Sequence, residues 1–138
     1  MCGILGIATR NKDSQKISER FSKSLDTLHH RGPDNSDIWV SKNKNVFLGH
    51  KRLSIIDISE KGNQPLSYRD KYIITFNGEI YNYAELAEIL KKKGYKFKTN
   101  SDTEILLLSF VQWGINCLDY IDGMFAFAIY DLINNKLF

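Results

Sequence analysis

Apolar positions along the 138-residue chain recur with two different periods, and their boundaries separate strands from helices. The opening "CGILGIAT" is an apolar run of strand length in which Gly3 and Gly6 permit close backbone approach. In "DSQKISERFSKSLDTL", Ile17, Phe21, Leu25 and Leu28 fall on one face at helical spacing, with Asp13 or Ser14 as N-cap. "HHRGPDNSD" is turn chemistry. "DIWVS" and "NVFLGH" read as a hairpin around the polar "KNKN", and "RLSIIDIS" as a further short strand that Arg52 begins.

Beyond the loop "EKGNQPLS", "KYIITF" is a β-branched and aromatic strand that stops at Asn77-Gly78. "NYAELAEILKKKG" predicts a helix capped by Asn82, with Tyr83, Leu86, Ile89 and Leu90 inward and Gly94 past its end. "SDTEILLLSFVQWG" opens on a Ser101–Glu104 capping box, and its apolar residues encircle it, so it is expected to be packed on most sides. "MFAFAIYD" has a bulky and a small apolar face, which predicts a central strand covered on both sides. "LINN" then turns toward "KLF". With no repeat or linker, the pattern describes one α+β domain over residues 1–138 that lacks its carboxyl-terminal part.

Composition narrows this reading. A chain of this length buries about two-thirds of its unfolded surface and needs no disulfide staple. Its 43% hydrophobic and 25% charged residues are ordinary for a soluble domain. A net charge of +3 is too small for a nucleic-acid groove. No run approaches the roughly 20 apolar residues that cross a bilayer, and no basic region precedes the first apolar run as in a secretory signal. Two cysteines, Cys2 and Cys117, read as reduced, which places the chain in the cytoplasm. Lys91 to Lys93 read as a solvated helix terminus.

The chemistry begins at Cys2. Without Met1 it would carry a thiol nucleophile and an α-amino base on one residue; the plainer alternative is a small buried residue opening a strand. Phosphate loops, Cys-x-x-Cys spacing and His-Glu-x-x-His are absent, and His29, His30 and His50 read as structural. Asn77 and Gly78 suit an oxyanion hole, although Asn-Gly is also a common tight turn. Arg52 could clamp a carboxylate, while Glu79 and Asp102 could hold an ammonium group; each also has a bland reading as a surface or helix-terminal charge. Taken together, these groups fit hydrolysis of the amide of a free amino acid such as glutamine.

The segments "MCGILGI", "HRGPDNSDIW", "LGHKRLSIIDIS", "NQPL", "FNGEIYNYAEL", "SDTEILL" and "DGMFAFAIYD" resemble, in order and across nearly the whole chain, the glutaminase domain of glutamine-hydrolysing asparagine synthetases. These are class II amidotransferases among the N-terminal-nucleophile hydrolases. The resemblance implies a four-layer αββα sandwich, truncated at its carboxyl-terminal end. It implies Cys2 as nucleophile, Asn77 and Gly78 as oxyanion donors, Arg52 on the α-carboxylate, Glu79 and Asp102 on the α-ammonium, and the backbone around Ile55 as lining. No metal or cofactor is implied for this half. In the parent enzyme, an absent synthetase domain would use ATP and Mg to activate aspartate, and a homodimer is compatible with the family. The rival expectations are another carboxylate acceptor, such as a sugar acid, and a non-catalytic fragment.

Overall fold

The computed structural model describes residues 2–10, 13–55 and 59–138. The amino-terminal third folds as β1 (Gly3–Ala8), α1 (Ser14–Asp26), β2 (Asn35–Val40) and β3 (Val46–Arg52). Three antiparallel strands in the order β1-β3-β2 form the first sheet. The second sheet has the order β4-β5-β6-β7, from β4 (Leu66–Tyr68), β5 (Tyr72–Ile80), β6 (Gly123–Asp131) and β7 (Lys136–Leu137). Helices α2 (Tyr83–Lys92) and α3 (Asp102–Trp113) lie between β5 and β6 in the chain.

Side-chain alternation along the strands sets four layers, as expected. On β3, Phe47 and Gly49 turn outward to α1: Phe21 and Phe47 rings are 5.6 Å apart, and a Cβ on Gly49 would come within 2.9 Å of Phe21. Val46 and Leu48 turn inward to meet Ile73 and Tyr130 of the second sheet. The opposite face of that sheet, with Ile74, Phe76, Ile80 and Ile129, packs on Leu86 and Leu90 of α2 and Ile105 to Leu108 of α3. Every residue of α3 from Asp102 to Phe110 is buried, which agrees with its all-round apolar pattern.

Several local expectations need correction. The stretch Leu53 to Ile55 is not a strand, and Arg52 ends β3 rather than beginning the next element; the rest of that expected strand, 56–58, lies outside the described residues. Asn77-Gly78 is not a turn. The strand continues to Ile80, because nine successive residues of β5 pair with β6 from Tyr72↔Asp131 to Ile80↔Gly123. Glu104 does not return to its N-cap as a capping box requires: Ser101 Oγ accepts from Thr103 N, but the Glu104 carboxylate accepts from Lys98 N, Thr99 N and Thr99 Oγ1. Asn82 precedes α2 without capping it, and its amide instead bonds Tyr120 O and Asp122 N. Tyr83 and Ile89 are exposed, leaving Leu86 and Leu90 as the buried contacts of α2. β6 is covered on both faces only in its second half, since Met124 and Ala126 are exposed.

Candidate active site

Cys2 immediately precedes β1, and the pairing Gly3↔Lys51 brings it level with Arg52 at the end of β3. Its half-buried sulfur faces the backbone just beyond that strand. Leu53 N–H donates to Sγ at 3.3 Å, and Sγ in turn lies 3.6 Å from Leu53 O as donor. Arg31 Nε donates to the carbonyl of Cys2 at 2.9 Å. The turn carrying Arg31 sits close against β3, since a Cβ on Gly32 would fall on the Lys51 carbonyl oxygen. The cysteine is thus fixed at both its main chain and its thiol.

Arg52 is 7% exposed, and its Nη1 donates to Ser59 O and to Asn63 Oδ1, both at 2.7 Å. The same side chain that lines the cleft therefore ties down the loop following β3. Ile55, on that loop, is an exposed apolar residue at the cleft mouth.

The opposite wall is an open strand edge. β4 pairs with β5 only at Tyr72 to Ile74, so the edge beyond Ile74 has no strand neighbour among the described residues. In an antiparallel strand, alternate residues direct their N–H groups to the same side. Phe76 N–H donates to Gln64 Oε1 at 2.7 Å, and Ile80 N–H donates to Asp102 Oδ2 at 3.3 Å. Gly78 lies midway, so by the same alternation its N–H is directed to this edge, and the residue lines the cleft. Its lack of a side chain is required on the β6 side, where a Cβ would fall on the Met124 carbonyl oxygen.

Glu79 is exposed beside this edge, and Asp102, 6% exposed, lies in the first turn of α3. Burial pushes the Asp102 carboxyl above its ordinary value; N–H donors from Ile80, Thr103 and its own backbone pull the other way, and the Glu79 charge adds to the rise. Two carboxylates facing one space in this way favour a cation between them. His50, between the sheets, donates from Nε2 to Phe76 O over 3.1 Å and is brought down to a pKa of about 4, chiefly by burial. It stays neutral and does not line the cleft, in keeping with a structural role.

Cys2, Arg52, Ile55, Gly78, Glu79 and Asp102 surround one cavity of about 130 Å³. At ~10–15 Å³ per water-sized position, that is room for on the order of ten such positions, the scale of one free amino acid. Asn77 is the exception among the candidate residues. It is not part of the lining, its side chain points to the sheet-sheet interface side of β5, and its Oδ1 is buried without a hydrogen-bond partner among the described residues. The sequence pattern missed Leu53, Gln64, Ser101 and Thr103, which also line the cavity, and Arg31 behind the cysteine. Gln64 lay in a loop of turn residues, where periodicity carries no information about a buried amide.

Two solved structures share this fold. The Bacillus subtilis glutamine phosphoribosylpyrophosphate amidotransferase, complexed with ADP and GMP, matches with a TM-score of 0.76 at 21% identity over 96% of this chain and 35% of that one. The allosteric regulatory enzyme of purine biosynthesis matches at 0.74, with 22% identity over 96% and 36%. The chain therefore shares the fold of these two enzymes, with its two antiparallel sheets between helices. More narrowly, the chain belongs to the glutamine amidotransferase domain family, whose profile matches residues 1–138. It is 42% identical to asparagine synthetase (glutamine-hydrolysing) 3 of Bacillus subtilis over 100% of this chain and 22% of that protein. A putative asparagine synthetase (glutamine-hydrolysing) 2 of Methanocaldococcus jannaschii is 39% identical over 100% and 29%. The amidase chry2 of Gibberella zeae is 38% identical over 95% and 21%. The chain is thus an enzyme domain spanning less than a third of each of these relatives, homologous to the glutaminase halves of asparagine synthetases.

Proposed function

We propose that this domain hydrolyses the side-chain amide of free glutamine with Cys2 as nucleophile. The supporting observation is one cleft that gathers a fixed thiol, a buried guanidinium, two carboxylates and an outward strand N–H. A zwitterionic amino acid matches those charges. Arg52 takes the α-carboxylate, Glu79 and Asp102 take the α-ammonium, and the backbone at Ile55 lines the side of the pocket. The amide carbon is then delivered to Sγ.

With Met1 removed, the α-amine of Cys2, of reference pKa about 7.7–8.0, accepts the thiol proton as Sγ bonds to the amide carbon. The oxygen of the tetrahedral intermediate gains negative charge, which the N–H of Gly78 and the side-chain amide of Asn77 stabilise. Asn77 is not part of the lining, so this role requires its side chain to change rotamer. The α-amine returns its proton to the departing nitrogen, ammonia leaves, and water cleaves the γ-glutamyl thioester to glutamate. No cofactor enters these steps. By analogy with the asparagine synthetases it resembles, the ammonia serves ATP- and Mg-dependent amidation of aspartate to asparagine in a synthetase domain beyond this chain.

Intact-mass measurement with an electrophilic glutamine analogue tests the assignment. The expected result is a chain without Met1 that gains one adduct, on Cys2, blocked by excess glutamine, and a Cys2→Ala variant that releases no ammonia. Ammonia release by Cys2→Ala at the parent rate would overturn it.

A further inference from the structure

Gln64 stands behind the cleft with both ends of its amide committed, and it is only 5% exposed. Oε1 accepts the Phe76 N–H at 2.7 Å, and Nε2 donates to Thr103 Oγ1 at 3.0 Å. The orientation of the amide is forced, because a backbone N–H can only donate. Gln64 therefore joins β5, two residues before Gly78, to the first turn of α3. The carboxylate of Asp102, the neighbour of Thr103, makes the equivalent link two residues after Gly78, at Ile80. Two side-chain links rooted in the same helical turn thus bracket one strand N–H. Among the described residues, they stand where β5 has no strand neighbour along this edge, β4 having already ended.

We infer that Gln64 is a positioning residue for glutamine hydrolysis, holding the Gly78 N–H in line with the developing oxyanion and in fixed relation to Asp102. This rests on the reading of the cleft given above. Gln64 touches no reacting atom. Its effect passes through Phe76 to Gly78, and through Thr103 to the turn that carries Asp102. Loss of the amide frees the Phe76 N–H and lets the edge relax. A displacement of about 1 Å at the oxyanion donor costs about 10²-fold in rate, and because that donor acts on the intermediate, the loss falls on kcat more than on KM.

The test compares the parent chain with Gln64→Met, which keeps length and flexibility but neither hydrogen bond, and Gln64→Glu. In Gln64→Glu, one oxygen still accepts from Phe76 N and the other accepts from the Thr103 hydroxyl. Ammonia release from glutamine is measured per active site, with sites counted by adduct formation with the electrophilic glutamine analogue, so that an unfolded fraction does not lower the rate. The expected result is a fall of about 10²-fold in kcat per counted site for Gln64→Met, with KM within a few-fold. Gln64→Glu keeps the links but adds an anion near the oxyanion, and its kcat relative to that of the parent at the same pH is expected to recover toward acid pH as that carboxylate is protonated. A Gln64→Met chain with parental kcat per counted site overturns the inference while the parent's own activity keeps the reading of the cleft. Should Gln64→Met not fold, Thr103→Val, which removes the acceptor of Nε2 and so breaks one of the two links, decides the matter, and a parental kcat per counted site in that variant overturns the inference. A folded parent chain that neither labels nor releases ammonia overturns the reading of the cleft itself.

Discussion

Replacing Asp102 by asparagine is expected to move stability and substrate binding in opposite directions. The side chain is 6% exposed, so its charge is little screened by water, and burial is the largest cause of its raised proton affinity. A hydrogen bond to a charged group contributes about 1.5–3 kcal/mol, against about 0.5–1.5 kcal/mol for a neutral one. Asparagine can still accept from the α-ammonium of glutamine and from Ile80 N, so the loss on binding is the difference, about 1–2 kcal/mol. That corresponds to a rise in KM of about 5- to 30-fold. Glu79, in the same cleft, keeps its charge, and binding weakens without vanishing.

The stability effect has the opposite sign. The folded-state pKa of Asp102 lies above its ordinary value of 3.8. Below that ordinary value the carboxyl is protonated in both folded and unfolded chains, and its ionisation has no effect on folding. As pH rises from there through the raised folded value, the unfolded chain ionises first, and the folded chain loses stability. At neutral pH the parent carries this cost in full and Asp102→Asn carries none, so the variant should melt higher at pH 7, by a margin that shrinks as the pH is lowered toward 4. In the parent, protonation of Asp102 also removes a partner of the ammonium, so KM should climb on the acid side, and that dependence should weaken in the variant. Steady-state ammonia release between pH 4.5 and 8, beside thermal melts over the same range, measures both. An Asp102→Asn chain that melts lower at neutral pH with parental KM would refute the argument and make the carboxylate a structural link between α3 and β5.

Arg52→Ala should raise KM for glutamine and also lower stability by about 1–3 kcal/mol, because Ser59 O and Asn63 Oδ1 lose a charged donor; a large KM change with an unshifted denaturation midpoint would show that the loop does not depend on Arg52. Asn77→Ala should lower kcat by about 10²–10³-fold if its amide reaches the oxyanion, and an unchanged kcat per active site would leave Gly78 as the donor. Cys117 is fully buried with its thiol pushed up to about 11, chiefly by burial, so the glutamine analogue should label Cys2 alone at neutral pH; peptide mapping that finds equal label on Cys117 would contradict this.

The parts of the molecule legible in the sequence are those governed by periodicity and by local chemistry. Phe21 and Leu25 are inward on α1 because a 3.6-residue period leaves them no other face, and Asp13 does accept from Lys16 N as an N-cap. α3 is buried along its first nine residues because its apolar pattern has no polar side to present. The misread elements turn on partners distant in sequence. Asn77-Gly78 has the composition of a tight turn, but nine paired residues of β6, more than forty positions later, hold it extended. Glu104 matches a capping box by spacing, yet three donors from Lys98 and Thr99 draw it backwards. Among the candidate residues, those whose function needs only a place at an element's end, Cys2, Arg52 and Asp102, meet at the cleft. Asn77 shows the limit: it stands between two lining residues of β5, yet its amide is not part of the lining and its Oδ1 is buried without a partner among the described residues, which the order of elements does not reveal.

The same alternation explains why an unfinished sheet edge suits this site. An exposed edge presents a row of unpaired N–H and C=O groups, which proteins cover to prevent pairing with other chains. Here the covering is supplied at single positions, by a glutamine amide at Phe76 and a carboxylate at Ile80, and a continuous strand in their place would have paired with Gly78 as well. Side chains can satisfy alternate groups selectively; a backbone neighbour cannot, because its own donors and acceptors repeat with the same period as the edge. Leaving one N–H directed into a cleft beside a thiol therefore requires that β4 stop at three residues and that α3 begin where its first turn can reach β5. The short strand and the buried polar start of an otherwise apolar helix are two consequences of one requirement.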